Sequence, residues 1–157
     1  EYATIGAGSV INKDIPDRSL AAGSPAKVLR AGNEYIKEYS WEEKNELVKN
    51  ILKEFAEYLN FLGTPVSFID KGHCILLDVT SKRGRYQLYY SSQIENIPES
   101  KIIVSLQKID DKLIEHMKLK NKMWFDIEGK RACYKNDPVW TYVKDFFLMY
   151  GIRFNIE

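Results

Sequence analysis

The chain has 157 residues, 45% of them hydrophobic and 29% charged, which is the composition of a globular protein rather than a disordered one. A net charge of +1 marks it as neither a nucleic-acid binder nor a partner for an acidic surface, and two cysteines do not make a disulfide framework. No apolar run approaches the roughly 20 residues of a membrane-spanning helix, and no charged-then-apolar leader opens the chain. The expected location is therefore the cytoplasm.

Ile5-Gly6-Ala7-Gly8-Ser9-Val10-Ile11 comes first, followed by Lys13-Asp14-Ile15-Pro16 and Ala22-Gly23-Ser24-Pro25-Ala26-Lys27-Val28-Leu29-Arg30. Ile5 and Ile11 are six residues apart, with small residues between them at Gly6, Gly8 and Ser9. Such a period belongs to solenoids, where the aliphatic side chain points into the coil and glycine permits the tight corner. A dinucleotide-binding loop is excluded, because its third glycine position is Ile11 and Pro16 interrupts any following helix. A P-loop fails too, since no Gly-Lys-Ser/Thr follows.

Residues 3–30, about a fifth of the chain, resemble the last coil and exit segment of the hexapeptide-repeat acyltransferases. The resemblance implies a remnant of a left-handed β-helix coil, a homotrimer in the intact protein, and acetyl-CoA lying in the groove between neighbouring coils. It places the backbone of Ala7 at the pantetheine arm, Asn12 and Lys13 near the nucleotide end, and Lys27 and Arg30 at the phosphates. Asn12 stands where the family commonly has Thr, which keeps a polar group but puts a hydroxyl contact in doubt. The chemistry is coherent, since the phosphates of a cofactor need cations and donors. The family's catalytic base is a His in an upstream coil. The two histidines here, His73 and His116, fall outside the coil, so no catalytic residue is assigned. About three repeats are needed for a stable solenoid, and the chain is accordingly expected to be the C-terminal part of a longer protein.

Ala31-Gly32-Asn33 reads as a linker, dividing the chain into residues 1–33 and 34–157. Ser40-Trp41-Glu42-Glu43 fits a capping box, and Leu47, Val48, Ile51, Leu52, Phe55, Leu59 and Leu62 make one helical stripe. Gly63 and Pro65 end it. Residues 66–70, 73–79, 85–91 and 101–106 read as strands, 110–120 as a helix, and 123–128 with 130–134 as a hairpin about Gly129. Asp137-Pro138 opens a further helix, with Asp as cap and Pro at the first position. Ile152, Phe154 and Ile156 alternate with polar residues as a final strand. The expected fold is an α+β domain, its helices on one face of a mostly antiparallel sheet.

Other candidates are weaker. His73, Cys74, His116 and Cys133 have no zinc-site spacing, and adjacent His73 and Cys74 point to opposite faces of a strand, so no metal is expected. Lys82, Arg83 and Arg85 form a basic hairpin tip, either an anion contact or a solubilising turn. Tyr86, Tyr89, Tyr90, Trp124, Trp140 and Tyr142 suggest a sugar-stacking platform or, more simply, core. Two functions are carried forward. The intact protein is an acetyltransferase acting on a sugar, sugar nucleotide or polysaccharide precursor, or the α+β domain is a non-catalytic module for acceptor recognition or oligomer assembly. A third reading has residues 1–30 out of their native coil.

Overall fold

The computed structural model describes residues 2–32, 39–82 and 84–157. The chain divides into two compact units, Glu1–Ser40 and Trp41–Glu157. The boundary expected at 33/34 and the basic tip residue Arg83 lie outside the described residues.

The first unit is a three-stranded sheet of β1 (Thr4–Ile5), β2 (Leu20–Ala22) and β3 (Lys27–Arg30). β1 runs parallel to β2 with Thr4 opposite Leu20, and β3 returns antiparallel. Gly6 leaves β1 where its missing Cβ matters: one placed there would sit 2.8 Å from the Ala22 Cβ. The corner closes through Ser9 N–H to Gly6 O (3.2 Å), with Gly8 at φ +74°. The Ser9 hydroxyl accepts from the Gly23 amide, tying the corner to the end of β2. The aliphatic positions expected inside a coil are only partly covered, with Ile5 37% and Ile11 52% exposed. The described residues form one parallel rung, which leaves the next layer of side chains without a neighbour.

The second unit opens with α1 (Trp41–Phe61), which buries Val48, Ile51, Leu52, Phe55, Ala56 and Leu59. Leu47 and Leu62, assigned to the same stripe from sequence, are exposed at its margins. The helix stops as Gly63 and Thr64 donate backward to Asn60 O and Leu59 O, a pattern that needs the positive φ of Gly63. The Asn60 carboxamide then clamps Val66, accepting from its N–H (2.9 Å) and donating to its C=O (3.1 Å).

β4 (Val66–Asp70), β5 (Cys74–Ser81) and β6 (Gly84–Ser91) form an antiparallel meander. β7 (Ile102–Ser105), α2 (Asp111–Leu119), β8 (Met123–Asp126), β9 (Arg131–Ala132), α3 (Pro138–Met149) and β10 (Asn155–Ile156) follow. The spatial order is β10-β9-β8-β7-β6-β5-β4. In place of the expected mostly antiparallel sheet, this one is mixed: β6–β7, β7–β8 and β9–β10 are parallel. The connections explain the difference. Hairpin turns give antiparallel neighbours, while residues 92–101 and the segments holding α2 and α3 are crossover lengths, which return the chain to pair in parallel.

Alternation places the core. Ile75, Leu77, Val79, Tyr86, Leu88 and Tyr90 share one buried face of β5 and β6. Tyr90 donates to Asn45 of α1 and Tyr86 to Asp137 at the cap of α3, so those helices cover that face. Phe125, on the same face, meets Trp140, Phe147 and Phe154. The opposite face carries Gln87, which accepts from Ser100, and Asp126, which meets Ile109. The 92–101 and α2 crossovers therefore lie there, and α2 sits on the other side of the sheet from α1 and the α3 crossover.

Candidate functional site

The five residues expected at a cofactor all lie in the first unit, and all are exposed. Ala7 is the tip of the Gly6–Ser9 corner, and among the described residues nothing hydrogen-bonds to its backbone. Asn12 and Lys13 lie in the loop between β1 and β2. Lys27 and Arg30 are the ends of β3, and neither is ion-paired among the described residues.

Lys27 and Arg30 are three positions apart, a spacing that puts side chains on opposite faces of a regular strand. The register of β3 is not regular. Lys27 pairs with Ala22 and Val28 with Ala21, yet Arg30 pairs with Leu20, so Leu29 is an extra residue. A bulge of this kind re-aims the side chain beyond it. Leu20 and Ala22 share a face, and directly opposed residues do too, so Lys27 and Arg30 project from the same face. Ile5, Ala21 and Val28 occupy the other. The sheet thus has an aliphatic side and a side bearing two free cations, an arrangement suited to holding phosphate groups. Asn12 and Lys13 lie in a separate loop.

The second unit holds a different feature. A cleft of about 570 Å³ opens between the end of α1, the β5–β6 hairpin and the start of α3. Leu59, Val79 and Val139 form its floor, and Thr64, Lys82 and Tyr142 are among its polar lining. Sequence reading picked out Lys82 and Tyr142 for other reasons and missed Thr64. The cleft is made by residues from three distant segments, and no local pattern announces it. The aromatic platform is not assembled: Tyr86, Tyr90, Trp124 and Trp140 are core, Tyr89 is half-buried and Tyr142 is exposed.

A buried ionic cluster closes the far end of β8. Asp126 is 0% exposed and accepts from Gly129 N–H (2.7 Å), Ile109 N–H (3.2 Å) and Arg131 Nη2 (3.0 Å). Arg131 also reaches Asp111, whose carboxyl it holds below the usual range through a hydrogen bond and its charge. Every oxygen of Asp126 is engaged, so the cluster pins the β8–β9 turn to the start of α2 rather than presenting a reactive group. His73 and His116 are both exposed and far apart in the topology, and Cys133 is buried, which raises its thiol pKa. Among the described residues no three His, Cys, Asp or Glu side chains gather as metal ligands, and no helix is long and apolar enough to cross a membrane.

No family model and no solved structure matches the chain. Short stretches do match acetyltransferases. Over 28 residues the chain is 61% identical to the dTDP-3-amino-3,6-dideoxy-alpha-D-galactopyranose 3-N-acetyltransferase of Aneurinibacillus thermoaerophilus, covering 18% of this chain and 15% of that protein. Over 30 residues it is 63% identical to a putative acetyltransferase of Staphylococcus aureus (strain COL), covering 19% and 15% respectively. The chain therefore spans about 15% of the length of these curated relatives.

Proposed function

We propose that the intact protein is an acyl-CoA-dependent acetyltransferase acting on a sugar, sugar nucleotide or polysaccharide precursor. In this reading residues 1–30 are the cofactor-facing end of a coil and the protein works as a homotrimer. The observation that carries it is the short stretch of 61–63% identity to acetyltransferases, one of them named for a sugar-nucleotide acceptor. The face shared by Lys27 and Arg30 supports it, because two cations set side by side suit the phosphates of CoA. Ala7, Asn12 and Lys13 complete the assignment. This chain carries no His before residue 73, so the base that would deprotonate the acceptor is not among its coil residues.

The test is charge reversal in the full-length gene product. Lys27→Glu and Arg30→Glu should each raise the KM for acetyl-CoA about tenfold or more, the loss expected for a charge-assisted phosphate contact worth about 1.5–3 kcal/mol. The kcat should hold. An unchanged KM in folded variants would remove both residues from the cofactor site.

A second reading concerns the Trp41–Glu157 unit as a module that recognises the acceptor, and the preformed cleft favours it. Deleting residues 41–157 from the full-length protein should then change acceptor preference while CoA binding persists. Changed oligomer size with unchanged preference would make the unit structural.

A further inference from the structure

We propose that the cleft between α1, the β5–β6 hairpin and α3 binds a saccharide carrying a single anionic group, a carboxylate or a phosphate. This deepens the acceptor-recognition reading of the second unit and rests on it.

Size is the first argument. About 570 Å³ lies within the range of small-molecule pockets and is roomy enough for a ligand of one or two sugar rings.

The lining is the second. Leu59, Val79 and Val139 form an apolar floor, and Pro65 and Pro138 add flat walls. Such surfaces accept the C–H faces of a pyranose. Tyr142 stands at the mouth with 46% of its surface exposed, offering a ring face and a hydroxyl. Thr64 and Thr80 supply further hydroxyls of the kind that bond to sugar hydroxyls.

Charge is the third. Lys82 carries the one cationic group among the described lining residues, and no lining residue is Asp or Glu. The two carboxylates adjacent in sequence to the lining are occupied: Asp137 accepts from Tyr86 and from the Val139 amide, and Asp78 accepts from the Gln87 carboxamide. A carboxylate or phosphate on the ligand would pair with this ammonium, a contact that a neutral sugar cannot make.

Rigidity is the fourth. One wall follows the Gly63 helix stop and the Asn60 clamp on Val66. Another follows the Asp137 cap of α3, and the Tyr86–Asp137 hydrogen bond ties that cap to β6. A cleft framed this way has little ordering cost to meet on binding.

The test uses this chain, isotopically labelled, titrated with D-glucuronate, D-glucose 1-phosphate and D-glucose while amide shifts are followed by NMR. Saturable shifts at Thr80, Lys82 and Tyr142 are expected with at least one of the two anions, and which anion binds decides between carboxylate and phosphate. Glucose should bind at least tenfold more weakly. Lys82→Glu and the cleft-filling Thr64→Trp, each checked for an otherwise native spectrum, should each weaken the anion at least tenfold. Absence of saturable shifts, shifts confined to other surfaces, equal binding of glucose, or indifference to both substitutions would overturn the proposal. Acetyl transfer is not read here, so a failed deletion test on acceptor preference would discard the acceptor role and leave ligand binding in the cleft standing.

Discussion

Replacing Gly129 by Ala puts a methyl group into the most confined polar site of the second unit. The new Cβ would lie 2.3 Å from Asp126 Oδ2, 2.7 Å from its Cγ and 2.8 Å from its Oδ1. Gly129 is not in the left-handed region, so the backbone itself accepts Ala and the cost is collision alone. The Asp126 carboxylate cannot swing aside freely, because Ile109, Gly129 and Arg131 all donate to it and it is fully buried. Restoring ordinary contact needs a shift of about 1 Å. Overpacking costs about 1–3 kcal/mol, and stretching one hydrogen bond to a charged group adds about 1.5–3 kcal/mol. The sum is a loss of roughly 2.5–6 kcal/mol, or about 1–3 M in urea midpoint for an m-value near 2 kcal/mol/M. Urea unfolding followed by tryptophan fluorescence reads this unit well, since Trp124 and Trp140 are both buried in it. A double-mutant cycle isolates the cause. In an Asp126→Ala background the methyl has room, and Gly129→Ala should then cost under about 1 kcal/mol. A single-variant loss below about 1 kcal/mol, or equal losses in both backgrounds, would refute the steric argument.

Gly6→Ala should destabilise the first unit by about 1–3 kcal/mol through the 2.8 Å approach to the Ala22 Cβ, and Ala22→Gly should recover most of that loss in hydrogen-exchange protection of Ala21 and Gly23. Tyr90 gives a pH prediction. Burial, and secondarily Glu46, raise its pKa above 10.0, so the folded state keeps the phenol proton while the unfolded chain loses it. Stability is therefore intact below about pH 10 and falls as pH rises beyond it. Urea midpoints measured across that range should drop for the native chain, and Tyr90→Phe should flatten the drop while costing about 1 kcal/mol at neutral pH.

The elements set by local chemistry were the legible ones. Asp137-Pro138 and Gly63 mark helix ends because capping and positive φ are decided within a few residues. What escaped depends on distant partners. Gln87 and Leu88 read alike as strand residues, yet one faces a crossover and the other the core. Sheet direction was written in connection lengths: the ten residues between Ser91 and Ile102 are too many for a hairpin, a cue that residue type alone conceals. At the candidate cofactor face, sequence supplied Lys27 and Arg30 as types, but only the bulge at Leu29 shows that they point the same way. The cleft was unreadable because Thr64, Lys82 and Tyr142 become neighbours through packing.

The Asn60 clamp also decides where the sheet ends. Thr80 N–H bonds to Pro65 O and Lys71 N–H to Cys74 O, which fixes the odd-numbered residues of β4 as those facing β5. The backbone groups of Val66, Phe68 and Asp70 consequently look outward. A carboxamide has the donor and acceptor of a peptide unit, and Asn60 fills the outward position at Val66 as a one-residue substitute for an eighth strand. Asp70 sets a carboxylate beside the remaining gap, where it accepts from Gly72. A strand arriving from another molecule would meet an open ladder at Phe68 and Asp70 alone, too short to hold it. The same side chain that steers the chain from helix into strand thus blunts the β4 edge of the sheet.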